Sequence, residues 1–191
     1  MNSFIFLSLS FDSDILKNNL SQKYSAGAAL LGFCAIIAQV VMFRELIAVS
    51  LGNELAAGLI FAGWLLGVGA GSAAGGAVTK RHGIGPRGVA FAFIALAAML
   101  PANIFLARAL RTIAGYSTGE VVLLGALMWL LPPAAAPAAF CTGLAFAFLC
   151  AARANANGAD AHDSARAPAA VYFADSAGSL AGGVLFSFLF V

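Results

Sequence analysis

The sequence predicts an all-α fold, a polytopic transmembrane helix bundle of about five spans. Three observations carry that expectation. Hydrophobic residues make up 62% of the chain and charged residues only 9%, with a mean hydropathy of +0.95, whereas a soluble domain carries roughly 25% charged residues. The apolar residues gather into runs long enough to cross a bilayer, which takes roughly 20 per helix. Short polar links rich in turn-forming and basic residues separate the runs. At that length the 191 residues could hold at most about six or seven spans. The runs support five, at 25–50, 55–79, 88–106, 120–152 and 169–191.

Composition also excludes several function classes. The net charge of +2 rests on so few groups that it implies neither a nucleic-acid partner nor an acidic substrate. Cys34, Cys141 and Cys150 lie in apolar runs, with no CxxC pair and no nearby histidine. They read as small packing residues rather than zinc or redox ligands, and no cofactor or metal is expected. The lipid bilayer is the expected surrounding partner.

Residues 1–24 contain Asp12, Asp14, Lys17 and Lys23 in a weakly amphipathic pattern. They are expected to form an N-terminal segment that lies at the membrane surface or is partly disordered, ahead of a bundle over 25–191. The apolar patch Phe4-Ile5-Phe6-Leu7 has no basic residue before it and is short for a signal sequence, so no cleaved signal is expected.

The first span, about 26 residues or roughly 39 Å of helix, carries Gln39, Arg44 and Glu45 in apolar surroundings. Arg44 lies roughly 9 Å below the end of the helix, where a long side chain can snorkel to the headgroups. The alternative is that Gln39, Arg44 and Glu45 face the bundle interior, since intramembrane polar groups seek partners or a wet cavity. Neighbours on a helix point about 100° apart, so Arg44 and Glu45 are expected to find partners elsewhere rather than each other.

After the link Leu51-Gly52-Asn53-Glu54, the second span places Gly63, Gly67, Gly71 and Gly75 every four residues. They form one smooth stripe that another helix can approach closely, with Ser72 and Gly76 widening its lower end. Gly67-Val68-Gly69-Ala70-Gly71 has no strand before it and is not read as a nucleotide loop.

The loop Lys80-Arg81-His82-Gly83-Ile84-Gly85-Pro86-Arg87 is basic and turn-rich. Lys17, Lys23, Lys80, Arg81, Arg87, Arg153 and Arg166 fall on one side of the predicted spans and Arg108 and Arg111 on the other. The positive-inside rule then places the N-terminus in the cytoplasm, in a multi-pass cell-membrane protein of the bacterial cytoplasmic-membrane type. His82 reads as a solvated loop histidine.

The third span contains Pro101 and Asn103 near its outer end, and 107–119 is expected to be a polar outer loop. The run 120–152 is interrupted by Pro132, Pro133 and Pro137. Only about 12 residues precede them, short of the roughly 17 a span needs. One long span kinked or broken at the prolines is expected, with a re-entrant pair as the alternative. Residues 153–168 read as a flexible loop in which His162 and Asp163 fall short of a metal site.

The last span sets Tyr172, Asp175, Ser176 and Ser179 on one helical face, with Gly178, Gly182 and Gly183 beside it, and that face is expected to pack inward. Asp175 suits a proton or cation site. It also sits about six residues from the start of the span, where a carboxylate meets the favourable helix dipole, and that position favours a structural role. Arg44 and Asp175 differ in depth by roughly 18 Å, too far for a direct salt bridge.

Several stretches share a pattern. Gly32-Phe33, Gln39-Val40-Val41-Met42-Phe43-Arg44-Glu45, Gly52-Asn53-Glu54-Leu55 and Trp64-Leu65-Leu66-Gly67-Val68-Gly69-Ala70-Gly71-Ser72 resemble the start of the membrane region of spermidine synthase-like integral membrane proteins. Leu131-Pro132-Pro133 with Thr142-Gly143, and Tyr172 to Phe190 with Asp175-Ser176-Ala177-Gly178, resemble later spans of the same region. The resemblance covers residues 27–191. It implies half of a major facilitator superfamily-like bundle, in relatives often joined to an aminopropyltransferase-like domain that this sequence lacks. Many such relatives carry Glu at the position of Gln39, and the acidic residue usual in the facilitator loop is absent from Thr79-Lys80-Arg81-His82. The sequence stops at Phe188-Leu189-Phe190-Val191 without a polar flank, as a truncated product or one half of a larger membrane domain would.

Two functions follow as expectations. The first is a transporter-like half-bundle, completed by further helices or a homo-oligomer, that passes a small polar or cationic solute, with Gln39, Arg44, Glu45 and Asp175 lining or bracing the path. The second is a non-catalytic membrane anchor or assembly subunit for a soluble enzyme or electron-transfer partner. No glycine-rich strand–loop–helix is present, so the chain alone is not expected to be an enzyme.

Overall fold

A computed structural model describes the backbone of residues 2–116, 122–156 and 161–190 and most side chains from residue 19 onward. Five helices run in order: α1 (Asn2–Val49), α2 (Glu54–His82), α3 (Pro86–Ile113), α4 (Leu124–Ala156) and α5 (Ala161–Phe190). Each contains a stretch long and apolar enough to cross a membrane. The described residues contain no strand, so the expected all-α bundle is what forms.

Local chemistry accounts for the ends of α2 and α3. Asn53 caps α2 by accepting a hydrogen bond from the Leu55 N–H at 2.9 Å. Glu54 lies in the first turn and Lys80, Arg81 and His82 in the last, each complementing the helix dipole. Gly83, at φ 63°, ends the helix and donates its N–H to the Thr79 carbonyl. Pro86 then opens α3, where its missing N–H costs nothing.

Helix ends correct several expected boundaries. Asn2–Val49 is one helix, so no break separates 1–24 from the first span. No glycine or proline precedes Gly27 to interrupt it. The third span continues past 106 to Ile113, because the apolar pattern runs on through Ala107, Ala109 and Leu110. Part of the expected outer loop 107–119 is therefore helix, and Gly115, at φ 79°, follows the turn that closes it. The expected flexible loop 153–168 is also mostly helical, in the end of α4 and the start of α5. Its His162 and Asp163 side chains lie outside the described set.

The fourth span is one long helix, as expected, and it stays unbroken at the prolines. Leu124–Ala156 is one helix with Pro132, Pro133 and Pro137 inside it, which also rules out the re-entrant pair. Each proline removes one backbone hydrogen bond. Unwinding the helix would strand several more polar groups at a depth where no water replaces them.

Packing follows the small residues. Gly63, Gly67, Gly71 and Gly75 are all buried, and each would place an added Cβ against α4: Pro132, Ala136, Phe140 and Leu144 in turn. Glycines every four residues on one helix thus face positions every four residues on the other. Gly143 returns the contact by abutting the Val68 carbonyl. Gly76 meets nothing and stands outside the stripe, against expectation, while Ser72 lies on its edge and donates to the Gly143 carbonyl at 3.2 Å. A second seam joins α1 to α5, where Gly32 meets the Asp175 backbone, Gly178 meets Ala29, and Gly182 meets Ile36 and Phe33.

These seams place α1 and α4 at the centre, each touching the other four helices. By contrast α2, α3 and α5 make no contact with one another among the described residues. One core cluster gathers Met42, Leu46, Ile60, Trp64, Leu127 and Leu131, and a second gathers Leu31, Leu96, Phe148, Leu149 and Val171. Long apolar side chains on the outer faces, including Phe105, Trp129, Phe173 and Phe188, are exposed as lipid-facing residues are.

Candidate functional site

The gap between α2 and α5 is the candidate site. The glycine seams draw α2 onto α4 and α5 onto α1, and because α2 and α5 do not touch, a wedge stays open between them. Its volume is about 370 Å³, within the roughly 300–1,000 Å³ of small-molecule pockets. Leu31, Ala35 and Gln39 enter it from α1; Trp64, Leu65, Val68 and Ser72 from α2; Thr142 and Phe146 from α4; and Tyr172 and Asp175 from α5. On α1 the four-residue spacing of 31, 35 and 39 keeps those positions on one strip of the helix.

Hydrogen bonding sets the polarity of this cleft. The Ser72 hydroxyl donates to the Gly143 carbonyl at 3.2 Å, and the Thr142 hydroxyl donates to the Ala138 carbonyl at 3.0 Å. With their protons committed to the backbone, both oxygens can offer a ligand only lone pairs. Ser179, one turn after Asp175, donates to the Gly32 carbonyl at 3.1 Å and ties α5 to α1. Asp175 is half-buried, and no described residue donates a hydrogen bond to its carboxylate.

Gln39 and Asp175, read from the sequence as separate polar sites, are thus brought to one cavity. Arg44 and Glu45 are not. Five residues of helix rotate Arg44 about 140° away from Gln39, and its guanidinium carbon lies 5.4 Å from the centre of the Phe186 ring. Arg44 is exposed, so of its two readings the one that turned it toward the bundle interior does not hold. It meets α5 eleven residues beyond Asp175, which keeps the two charges apart as the depth difference predicts.

Glu45 finds its partner on α3. Arg108 donates to it through Nε at 3.0 Å and through a terminal nitrogen at 2.7 Å, a two-pronged carboxylate clamp. The Arg108 side chain is 67% exposed and that of Glu45 25%. Together with Leu185, Phe186 and Leu189, Arg44 and Glu45 line a separate, largely apolar groove of about 450 Å³. Its two charges already have partners. The Asp175 carboxylate of the first cleft has no hydrogen-bond or ion-pair partner among the described residues.

Ser21 and Ser25 of α1 both accept from Arg153 of α4. On the other side of the core, Asn103 is 1% exposed and donates to the Ala134 carbonyl at 3.0 Å and to the Met42 sulfur at 3.2 Å. These contacts tie α3 and α4 to α1 and belong to neither cavity. Among the described residues no group of three or more His, Cys, Asp or Glu could hold a metal ion.

Sequence reasoning passed over Phe146, named Trp64 and Thr142 only within the stretches that carry the resemblance, and gave Ser72 no polar role beyond that of a small residue beside the glycine stripe. Hydroxyls inside apolar runs were the available signal for Ser72 and Thr142. For Arg108 the signal was the apolar pattern continuing on both sides of it. Comparison of the chain with protein-family models, with curated proteins and with solved structures finds no match.

Proposed function

We propose that this chain is a transporter-like membrane bundle whose cleft between α1, α2, α4 and α5 receives a small polar or cationic solute. One observation carries the reading: Gln39 and Asp175 share a single cavity, and the carboxylate has no donor among the described residues. A carboxylate at membrane depth is costly and is retained where it serves a pathway or a partner. The glycine seams then hold the walls in register, with Arg44 bracing α1 against α5 and the Glu45–Arg108 clamp holding α1 to α3.

The resemblance of residues 27–191 to the membrane region of spermidine synthase-like proteins supports the same reading, as half of a facilitator-type bundle. The cleft has an open side, with Tyr172 65% exposed beside it, and further helices from a second copy or another subunit would close it. In this reading the chain performs no catalytic step. It sits in a bacterial cytoplasmic membrane with its N-terminus and the basic 80–87 stretch, the α2–α3 junction, inside.

The test is flux in proteoliposomes across a panel of small polar and cationic solutes. Asp175→Asn should lower flux of the accepted solute at least tenfold while the protein still elutes as a folded species. Absence of flux for every solute, with wild-type protein intact, would overturn the proposal. The anchoring role takes its support from the register-fixing contacts themselves, and it gains if flux is absent and a soluble enzyme or electron-transfer protein co-purifies in fixed ratio.

A further inference from the structure

The chemistry lining the cleft is selective. Asp175 brings an acceptor-only carboxylate. The Ser72 and Thr142 hydroxyls have spent their protons on the Gly143 and Ala138 carbonyls and present further acceptors. Among the described residues no Lys, Arg or His lines the cavity, so an anion would meet a carboxylate with nothing there to offset it.

The remaining wall is apolar and aromatic. Trp64, Phe146 and Tyr172 stand around the same cavity as Asp175, and aromatic faces attract cations, most strongly when desolvated. A bare metal ion suits the site poorly. Metal ions want several hard or charged ligands at close range, whereas Asp175 is the one carboxylate among the described lining residues and the cavity of about 370 Å³ has room for an organic body. A neutral solute would leave the carboxylate uncompensated.

Resting on the solute-binding reading above, we propose that this cleft takes a small organic ammonium ion. Its N–H or N–CH₃ groups face Asp175, with the Ser72 and Thr142 oxygens as further acceptors, and its carbon body lies against Trp64, Phe146 and Tyr172. Gln39 supplies an amide that can accept from or donate to a polar tail.

The chain has two tryptophans, and Trp129 is 83% exposed on the outer face of the bundle. In Trp129→Phe protein, Trp64 therefore becomes a reporter inside the cleft. Full-length protein in nanodiscs would be titrated with methylammonium and tetramethylammonium chloride, against sodium and potassium chloride at equal ionic strength. Binding would be read by Trp64 fluorescence and by equilibrium dialysis of labelled methylammonium. The expected result is saturable binding of both ammonium ions, no saturation by the metal salts, and at least tenfold weaker binding in Asp175→Asn.

Saturation by sodium or potassium matching that by the ammonium ions would overturn the assignment, as would unchanged affinity in Asp175→Asn. Saturable binding of a neutral probe such as urea or glycerol, without any ammonium response, would also overturn it while leaving the solute-binding reading in place. No response to any probe would overturn both. The salt series on protein retaining Asp175 decides the matter even if Asp175→Asn does not fold.

Discussion

Asn103 shows how one side chain can sit at the junction of three helices. Its amide nitrogen reaches α4 at Ala134 and α1 at Met42, while its carbonyl oxygen is buried with no partner among the described residues. An unpaired buried acceptor costs about 1–3 kcal/mol, which offsets much of what the donated bonds contribute. Asn103→Leu, similar in size, should therefore change stability by less than about 1.5 kcal/mol. Asn103→Asp should destabilise by more than that, because it removes the donor and adds buried charge. Reversible unfolding in mixed micelles measures both, and a large loss in Asn103→Leu would show that the donated bonds outweigh the orphan. Glu45 and Arg108 make a second residue-scale case. If each works chiefly through the other, Glu45→Ala and Arg108→Ala should each lower the melting midpoint, and the double variant should lower it no further than the larger single effect.

Elements meet here through absent side chains. With little hydrophobic force between helices in lipid, close backbone approach and the dispersion it permits supply the attraction. Gly67 and Gly71 hold that approach, since a Cβ at either would run into the α4 backbone at Ala136 or Phe140. Gly67→Leu or Gly71→Leu should thus cost about 1–3 kcal/mol or more by forcing α2 off α4. Gly69→Ala and Gly76→Ala lie on the same helix in open space. They should be neutral or stabilising by up to about 1 kcal/mol, because alanine favours the helix more than glycine does. If all four variants unfolded alike, close packing at the stripe would not be what joins these helices. The stripe was legible in the sequence because its period is that of a helix face. Its partner was not, since Pro132 read as a kink or break in α4 and nothing marked Ala136, Phe140 and Leu144 as its docking surface.

For the whole molecule, the alternation of five helices puts the 50–53 link and the 83–85 turn at opposite ends of the bundle. With Cys34, Cys141 and Cys150 replaced by serine or alanine, single cysteines introduced as Glu54→Cys and Arg87→Cys should label from opposite faces of intact cells or oriented vesicles. In the proposed orientation Arg87→Cys is the one protected from outside, and the reverse pattern would overturn that orientation while keeping the five spans. Labelling of both from one face would undo the five-span arrangement. The central pair α1–α4 and the three outer helices that avoid one another also explain why the cleft exists. Two separate glycine seams pull α2 and α5 to different central helices, and the space between them is what neither seam closes.

The amino-acid sequence by itself determined that the chain is a helical bundle of membrane-spanning length, where most helices lie, and which glycines are packing surfaces. Those properties follow from composition and from the 3.6-residue period, both local. Tertiary structure decided what the polar residues do. Gln39 and Asp175 are 136 positions apart in sequence, and only the two seams bring them to one cavity. The helical phase that turns Arg44 away from Gln39 was readable in advance, but the ring it would meet on α5 was not. Glu45 needed Arg108, which joined α3 only because that helix runs on past its expected end. The prolines of α4 were visible as an interruption, yet the bilayer's penalty on unpaired backbone groups and the glycine surface of α2 keep the helix whole.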